Sequence, residues 1–439
     1  MRNPVATLFR IPELRDKILF TLLILLIYRL GAHVVAPGID VEALKAFAGQ
    51  LQGTVFGIYD MFVGGGLSRA TVFALGIMPY ISASIMFQLL AAVFPSIERM
   101  QKEGEEGQKK LTQYTRYATV ALSIVQAYGY AVFLEGIPGA VAHPGFGFKL
   151  MMILALTTGA VFVMWLGEQI TERGVGNGMS LLIFFAIIER FPSAIGQTAE
   201  LVKVGEVSSL ALVILAVVMI AVIAATIAVT VAARNVPVQI PRKVMGRGRI
   251  REGQKSFIPL RLNAAGVMPI IFAQSIVVVP GTVASFLHYG WAQTVAKVFA
   301  YGTWEYYLAY SILIVFFTYF YTAIIFNPVD LAESLKKQGA FVPGVKPGQR
   351  TSEYIDRVLT RILLPGSIFL VLIAIIPFWV LNTVGVPFLG SVLGGTGLLI
   401  VVGVGLDTVQ QMQQHLLLRH YDGFMKRGRV KFRGRQRYM

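Results

Sequence analysis

The chain has 439 residues, 55% of them hydrophobic and only 14% charged, and a net charge of +16. Soluble domains carry about 25% charged residues, so an ordinary soluble fold is excluded. There is no cysteine, which removes disulfides, thiolate nucleophiles and Cys-ligated metals. The histidines (His33, His143, His288, His415 and His420) fall at the ends of apolar runs, in loops and in the tail, and no two share metal-ligand spacing within a run, so neither a metal nor a cofactor is expected.

Crossing about 30 Å of hydrocarbon takes about 20 apolar residues at about 1.5 Å each. After a polar segment of mixed charge (1–17), which does not read as a removable signal peptide, the first such run is 18–36, interrupted by Arg29. Segment 54–71 is too short and polar to cross, yet places Phe56, Ile58, Met61, Phe62 and Val63 ahead of three glycines. It reads either as an external loop or as an element folded back into the protein, since irregular backbone at membrane depth survives only inside protein or a wet cavity. A charge-free run over 72–94 gives the second span; 117–134, 150–167 and 179–188 give the third to fifth, the last having to extend past its charge-free part. Residues 207–233, 262–296 and 306–329 supply the sixth to eighth spans, and 362–406 is long enough for two more. The expected fold is an all-α polytopic membrane protein with ten transmembrane helices, divided into an N-terminal half (18–206), a C-terminal half (207–417) and a basic tail (418–439).

The second span contains Gly76-Ile77-Met78-Pro79-Tyr80-Ile81 and the seventh Gly266-Val267-Met268-Pro269-Ile270-Ile271. Each is the second span of a five-span half. Matching Gly/Pro-interrupted segments at corresponding positions indicate an inverted repeat with function between the halves. Proline inside a helix removes a donor and kinks it, so both helices are expected to be kinked and to form a seam. Ser82, Ser84 and Gln88 on one, Asn263, Gln274 and Ser275 on the other, and Gln126 in the third span are polar groups that prefer helix partners over lipid, at about 0.6–2 kcal/mol each.

Loop charge sets the orientation. Of the 39 Lys and Arg, 32 lie in the N-terminus, the tail and the loops near 95–116, 168–178, 234–261 and 327–361; six lie in the alternate loops, and Arg29 lies within a span. Both termini are therefore expected in the cytoplasm, and topology explains most of the positive charge. The 234–261 loop (Arg242, Lys243, Arg247, Arg249 and Arg251 against Glu252) and the tail KRGRVKFRGRQR exceed what topology needs. They read as docking sites for anionic lipid, an acidic protein surface or RNA.

Ion-coupled transport needs charges within spans, and only Arg29, Glu189, Arg190 and Asp407 qualify, mostly near span ends. No phosphate loop, Ser/His/Asp set or paired carboxylates are present. A membrane-embedded enzyme and a solute transporter are thus disfavoured, and a driving force must come from a partner.

The run MFVGGGLSRATVFALGIMPYISASIMFQLL (61–90) resembles the plug and second span of the SecY family. ITERGVGNGMSLLIF (170–184), LNAAGVMPIIFAQS (262–275), GAFVPGVKPGQRTSEYIDRVLTR (339–361) and GGTGLLIVV (394–402) are similar to its other motifs. The resemblance runs nearly end to end. It implies an hourglass channel between two inverted five-helix halves in the bacterial plasma (inner) membrane, passing unfolded polypeptides across and releasing signal sequences and transmembrane segments sideways. Carried over by motif, Ile77, Ile81, Met179, Ile183, Ile271 and Ile400 would form an apolar waist, which dewets when empty. Phe62, Gly64, Gly65, Gly66, Leu67, Ser68 and Arg69 would be the plug, and the seam a lateral gate bearing Ser82, Gln88, Gln126, Asn263 and Gln274. Loops 234–261 and 327–356, with Lys346 and Arg350, would dock a SecA-type motor ATPase or a ribosome; SecE- and SecG-type small subunits are the implied membrane partners. Lys346 stands where the family usually has Arg. It keeps the charge but not the bidentate geometry, with Arg350 placed to share its role.

Overall fold

In the computed structural model, which describes residues 12–44, 60, 63–205, 208–240, 243–245, 249–251, 255–263, 266–286, 290, 294, 298, 303–384 and 395–427, each of the nine apolar runs contains helix. The first half comprises α1 (Pro12–Gly31), α2 (Met78–Val93), the short α3 (Pro95–Lys102), α4 (Glu105–Glu135), α5 (Phe146–Arg173), α6 (Gly178–Glu189) and α7 (Phe191–Val204). The second comprises α8 (Ser209–Val231), α9 (Met268–Phe286), α10 (Trp304–Ile325), α11 (Pro328–Lys337), α12 (Gln349–Val384) and α13 (Gly395–Arg427). Among the described residues, six helices or end-to-end helix pairs are long and apolar enough to cross a membrane, or seven when α2 is joined to α3 across a 111° bend.

Local chemistry sets the ends. Asn177 caps α6 by accepting from the N–H groups of Met179 and Ser180 (3.1 and 3.3 Å), satisfying donors that a helix start leaves bare. Ser208, Thr303 and Asn327 cap α8, α10 and α11 in the same way. The fifth span extends as expected: α6 alone is short, and α7 continues it to Val204.

The two Gly-x-Met-Pro segments differ from expectation. Their prolines do not kink helices; they begin them, since α2 starts at Met78 and α9 at Met268, each with proline second. A proline there costs nothing, because its missing N–H would have had no helical partner. The glycine two residues before each helix has positive φ, +53° at Gly76 and +63° at Gly266, a conformation glycine adopts without steric cost. Both runs are therefore turn-then-helix, and the 16 residues of α2 reach only about 24 Å at about 1.5 Å per residue.

The packing repeats. In the first half α2 lies on α4, α4 on α5, α5 on α6, and α1 on both α5 and α6; in the second, α9 lies on α10, α10 on α12, α12 on α13, and α8 on both α12 and α13. These are the same five span-to-span contacts in each half, so the internal repeat is one of three-dimensional arrangement as well as motif. The halves meet where α6 packs on α13.

On the basic side, loop 234–261 forms strands, an addition to the helical body that sequence reading did not anticipate. Strand β1 (Ala233–Gln239) pairs antiparallel with β4 (Lys255–Arg261), and β2 (Lys243–Met245) pairs with β3 (Arg249–Arg251). Gln239 and Phe341 exchange backbone hydrogen bonds of 2.9 and 3.0 Å, joining this hairpin to the second basic loop. Val236, Val238, Leu260, Leu335, Ala340, Val342, Ile355, Leu359 and Ile362 form a separate apolar core beneath them.

Candidate channel: waist, plug segment and seam

Five of the six waist candidates are fully enclosed: Ile77, Ile81, Ile183, Ile271 and Ile400 are each 6% exposed or less. They belong to one apolar cluster, and Met179 packs half-buried against it. The cluster draws these residues from the second, fifth, seventh and tenth spans, hence from both halves. Close backbone approach makes this packing feasible: a Cβ on Gly178 would strike the carbonyl of Gly167, and one on Gly403 the side chain of Val267.

Phe62 and residues 54–59 lie outside the described residues. Residues 63–71 pack against the protein. Val63 and Leu67 are buried, and Gly64 (φ +70°) and Gly65 (φ +83°) supply the left-handed turns. Gly64 sits so close to the backbone of Ala186 that an added Cβ would lie 3.3 Å from its carbonyl oxygen. The Tyr130 hydroxyl on α4 donates to the Leu67 carbonyl at 2.5 Å, and Ser68 Oγ donates to the Gly65 carbonyl at 3.1 Å. Arg69 Nη1 meets His33 Nε2 at 3.1 Å. Beyond the segment, Thr71 bridges Val35, and the Ala36 N–H donates to the Ala70 carbonyl at 2.8 Å.

Sequence reading picked out Arg29, Glu189 and Arg190 near span ends but missed Asp60 and the link between these charges and this segment. Asp60, 5% exposed, accepts at Oδ1 from the N–H groups of Leu67 and Ser68, both at 2.9 Å. Arg190 Nη2 donates to its Oδ2 at 3.0 Å. The neighbouring Glu189 pairs with Arg29 at the end of α1. Two consecutive charges at the end of a span, on the side poor in Lys and Arg, were the available signal.

The seam residues divide. Ser82 and Gln88 lie half-buried on α2 and Gln126 half-buried on α4, while Asn263 is 7% exposed. Gln88 Nε2 donates to Ser84 Oγ one turn back at 3.2 Å. The Gln274 amide donates to the Tyr306 hydroxyl of α10 at 2.8 Å, within its own half. Of the docking candidates, Lys346 and Arg350 are exposed at the tip of the second basic loop. Lys243, Arg249 and Arg251 belong to the paired strands β2 and β3; Arg242, Arg247 and tail residues 428–439 lie outside the described residues.

A family model described as SecY matches residues 71–409. The chain is 44% identical over 434 residues to the protein translocase subunit SecY of Aquifex aeolicus, covering 97% of this chain and 100% of that one. Identity to the Escherichia coli subunit of the same name is 43% over 430 residues, 96% of each. The fold is similar to a solved protein conducting channel (TM-score 0.64, 16% identity, 98% and 100% of the two chains). It is equally similar to a SecY structure whose plug domain stabilises the closed state and maintains a membrane seal (TM-score 0.64, 16% identity, same coverage). Sec61 in the canine ribosome–channel complex matches at TM-score 0.60 and 16% identity, again over 98% and 100%. With a family model spanning most of its length and such relatives along nearly all of it, the chain belongs to the SecY family.

Proposed function

We propose that this chain is the protein-conducting channel of a bacterial translocase, passing unfolded polypeptides across the membrane and releasing apolar segments sideways into lipid. One observation carries the reading: aliphatic side chains from four spans of both halves meet in a single cluster. An apolar constriction blocks ions by dewetting and gives a passing chain no hydrogen bonds to linger on. A solute transporter would instead bring polar or charged ligands to the place where its repeats meet.

In this reading segment 62–69 is the plug, and α2 with α9 borders the lateral gate. The gate assignment is supported by their packing, because α2 lies mainly on α4 and α9 mainly on α10. Loops 234–261 and 327–356 dock a SecA-type motor ATPase or a ribosome, and the joined hairpin and shared core make them one surface. SecE- and SecG-type subunits complete the complex, anionic lipids neutralise the basic face, both termini are cytoplasmic, and the bacterial inner membrane is the site.

The test reconstitutes the full chain with its copurifying small subunits and a motor ATPase in vesicles. Cysteine pairs are scanned between half-buried positions of α2 (Tyr80, Ser82, Ser84) and of α9 (Met268, Ile276). A short crosslink should stop uptake of a signal-bearing polypeptide, and a long flexible one should spare it. Undiminished uptake with short crosslinks complete at every reactive pair would defeat the gate; solute flux with no polypeptide ever moved would favour the transporter.

A further inference from the structure

Asp60 organises the turn that follows it. Its carbonyl accepts from the N–H groups of Val63 and Gly65 (3.3 and 2.9 Å), and its Oδ1 from those of Leu67 and Ser68. Four amides of the plug segment thus converge on one residue. The remaining oxygen, Oδ2, is the one that leaves the segment, binding Arg190 at the junction of α6 and α7. The two side chains are 7% and 25% exposed. Gly65 lies beside the pair: a Cβ there would make ordinary contact with the Arg69 guanidinium at 3.7 Å and with that of Arg190 at 3.9 Å.

A carboxylate this enclosed is stable only with its countercharge beside it, and breaking a buried pair by removing one partner costs far more than the intact pair contributes. The consequence is asymmetric. Without Arg190, Asp60 is a buried anion with no countercharge, held only by the Leu67 and Ser68 amides, and is relieved by carrying the segment out to water. Without the Asp60 charge, the more exposed Arg190 turns to water with the segment still seated.

We infer that the Asp60–Arg190 ion pair is the clasp that sets how readily the plug segment leaves its seat, Asp60 folding the segment and Arg190 fixing it to the fifth span. Both are positioning residues. The inference rests on the channel reading above, which makes this segment movable.

The chain has no native cysteine, so Ser68→Cys in the full complex reports unseating through its rate of modification by a membrane-impermeant maleimide added on the outer face. Arg190→Gln should raise the rate by about a hundredfold, as expected for an unpaired buried charge. Asp60→Asn, which keeps an acceptor for the two amides, should raise it by about tenfold, as for a lost charge-assisted hydrogen bond. The double variant should fall below Arg190→Gln alone, and Arg190→Lys should stay near the parent. Unchanged rates in both single variants, or a double variant equal to the product of the two, overturns the clasp. A polypeptide stalled in the channel should expose the reporter thiol in every background. If it does so while the variants match the parent, the clasp falls and the channel reading stands; if it does not, both fall. Should Arg190→Gln fail to fold, Asp60→Asn and the double variant decide.

Discussion

Gly76 and Gly266 offer a matched comparison, because they hold the same turn in the two halves with nearly equal positive φ. Alanine at either site must adopt the left-handed region, at about 1–2 kcal/mol. Their surroundings differ. A Cβ on Gly76 would lie 3.1 and 3.3 Å from the two γ-methyls of Val63, itself 1% exposed. On Gly266 the nearest atom is Asp407 Oδ2 at 3.9 Å, ordinary contact. Overpacking a filled site adds about 1–3 kcal/mol, so Gly266→Ala should cost about 1–2 kcal/mol and Gly76→Ala about 2–5 kcal/mol. The excess falls on Val63 and thus on the plug segment. Denaturant titration of the complex in mild detergent, followed by tryptophan fluorescence, measures the difference. Combined with Val63→Ala, Gly76→Ala should cost less than the sum of the two by about 1 kcal/mol or more, the coupling expected of residues in contact. Equal costs at the two glycines, together with strict additivity with Val63→Ala, would refute the reasoning.

Two further outcomes follow from the waist and the basic surface. Replacing Ile81 and Ile271 together by Asn puts two amides into a dry site at about 2–7 kcal/mol each when unpaired; water is the cheapest relief, so planar-bilayer recordings should show raised resting ion conductance, and parental conductance in a folded variant would count against the waist. Reversing Lys346, Arg350, Arg249 and Arg251 to Glu should weaken binding of a motor ATPase and of ribosomes and flatten its salt dependence without altering insertion; unchanged affinity for both would remove the docking assignment.

The spans were legible in the sequence because run length and charge placement are linear properties. The waist residues were picked out by motif, and Ile77, Ile81, Ile183, Ile271 and Ile400 are buried. What stayed hidden depends on rotation about helix axes and on pairing at long range. Gln274 is polar in an apolar helix, but nothing in the sequence says that its partner is Tyr306 in its own half. Asp60 and Arg190 are 130 positions apart, and no local pattern joins them. The strand Ala233–Gln239 reads ARNVPVQ, whose arginine and proline mask the short alternation of Val236 and Val238. Helix α12 begins at Gln349, well before its apolar run, because Ile355, Leu359 and Ile362 recur at helical spacing and bury against the strand hairpin.

That helix has a mechanical consequence. One helix supplies Ile355, Leu359 and Ile362 to the core beneath the strand hairpin and Leu370, Ile373 and Ala374 to the membrane core. From Ile355 to Ile373 the rise is about 27 Å at about 1.5 Å per residue, with Pro365 and Gly366 between the two sets, where the proline leaves the helix short of one backbone donor. Along its membrane length it lies against α8, α10 and α13, and α13 carries Ile400. The hairpin core and the membrane core therefore share one helix that lies beside the tenth span, and its point of least stiffness, Pro365-Gly366, falls between them.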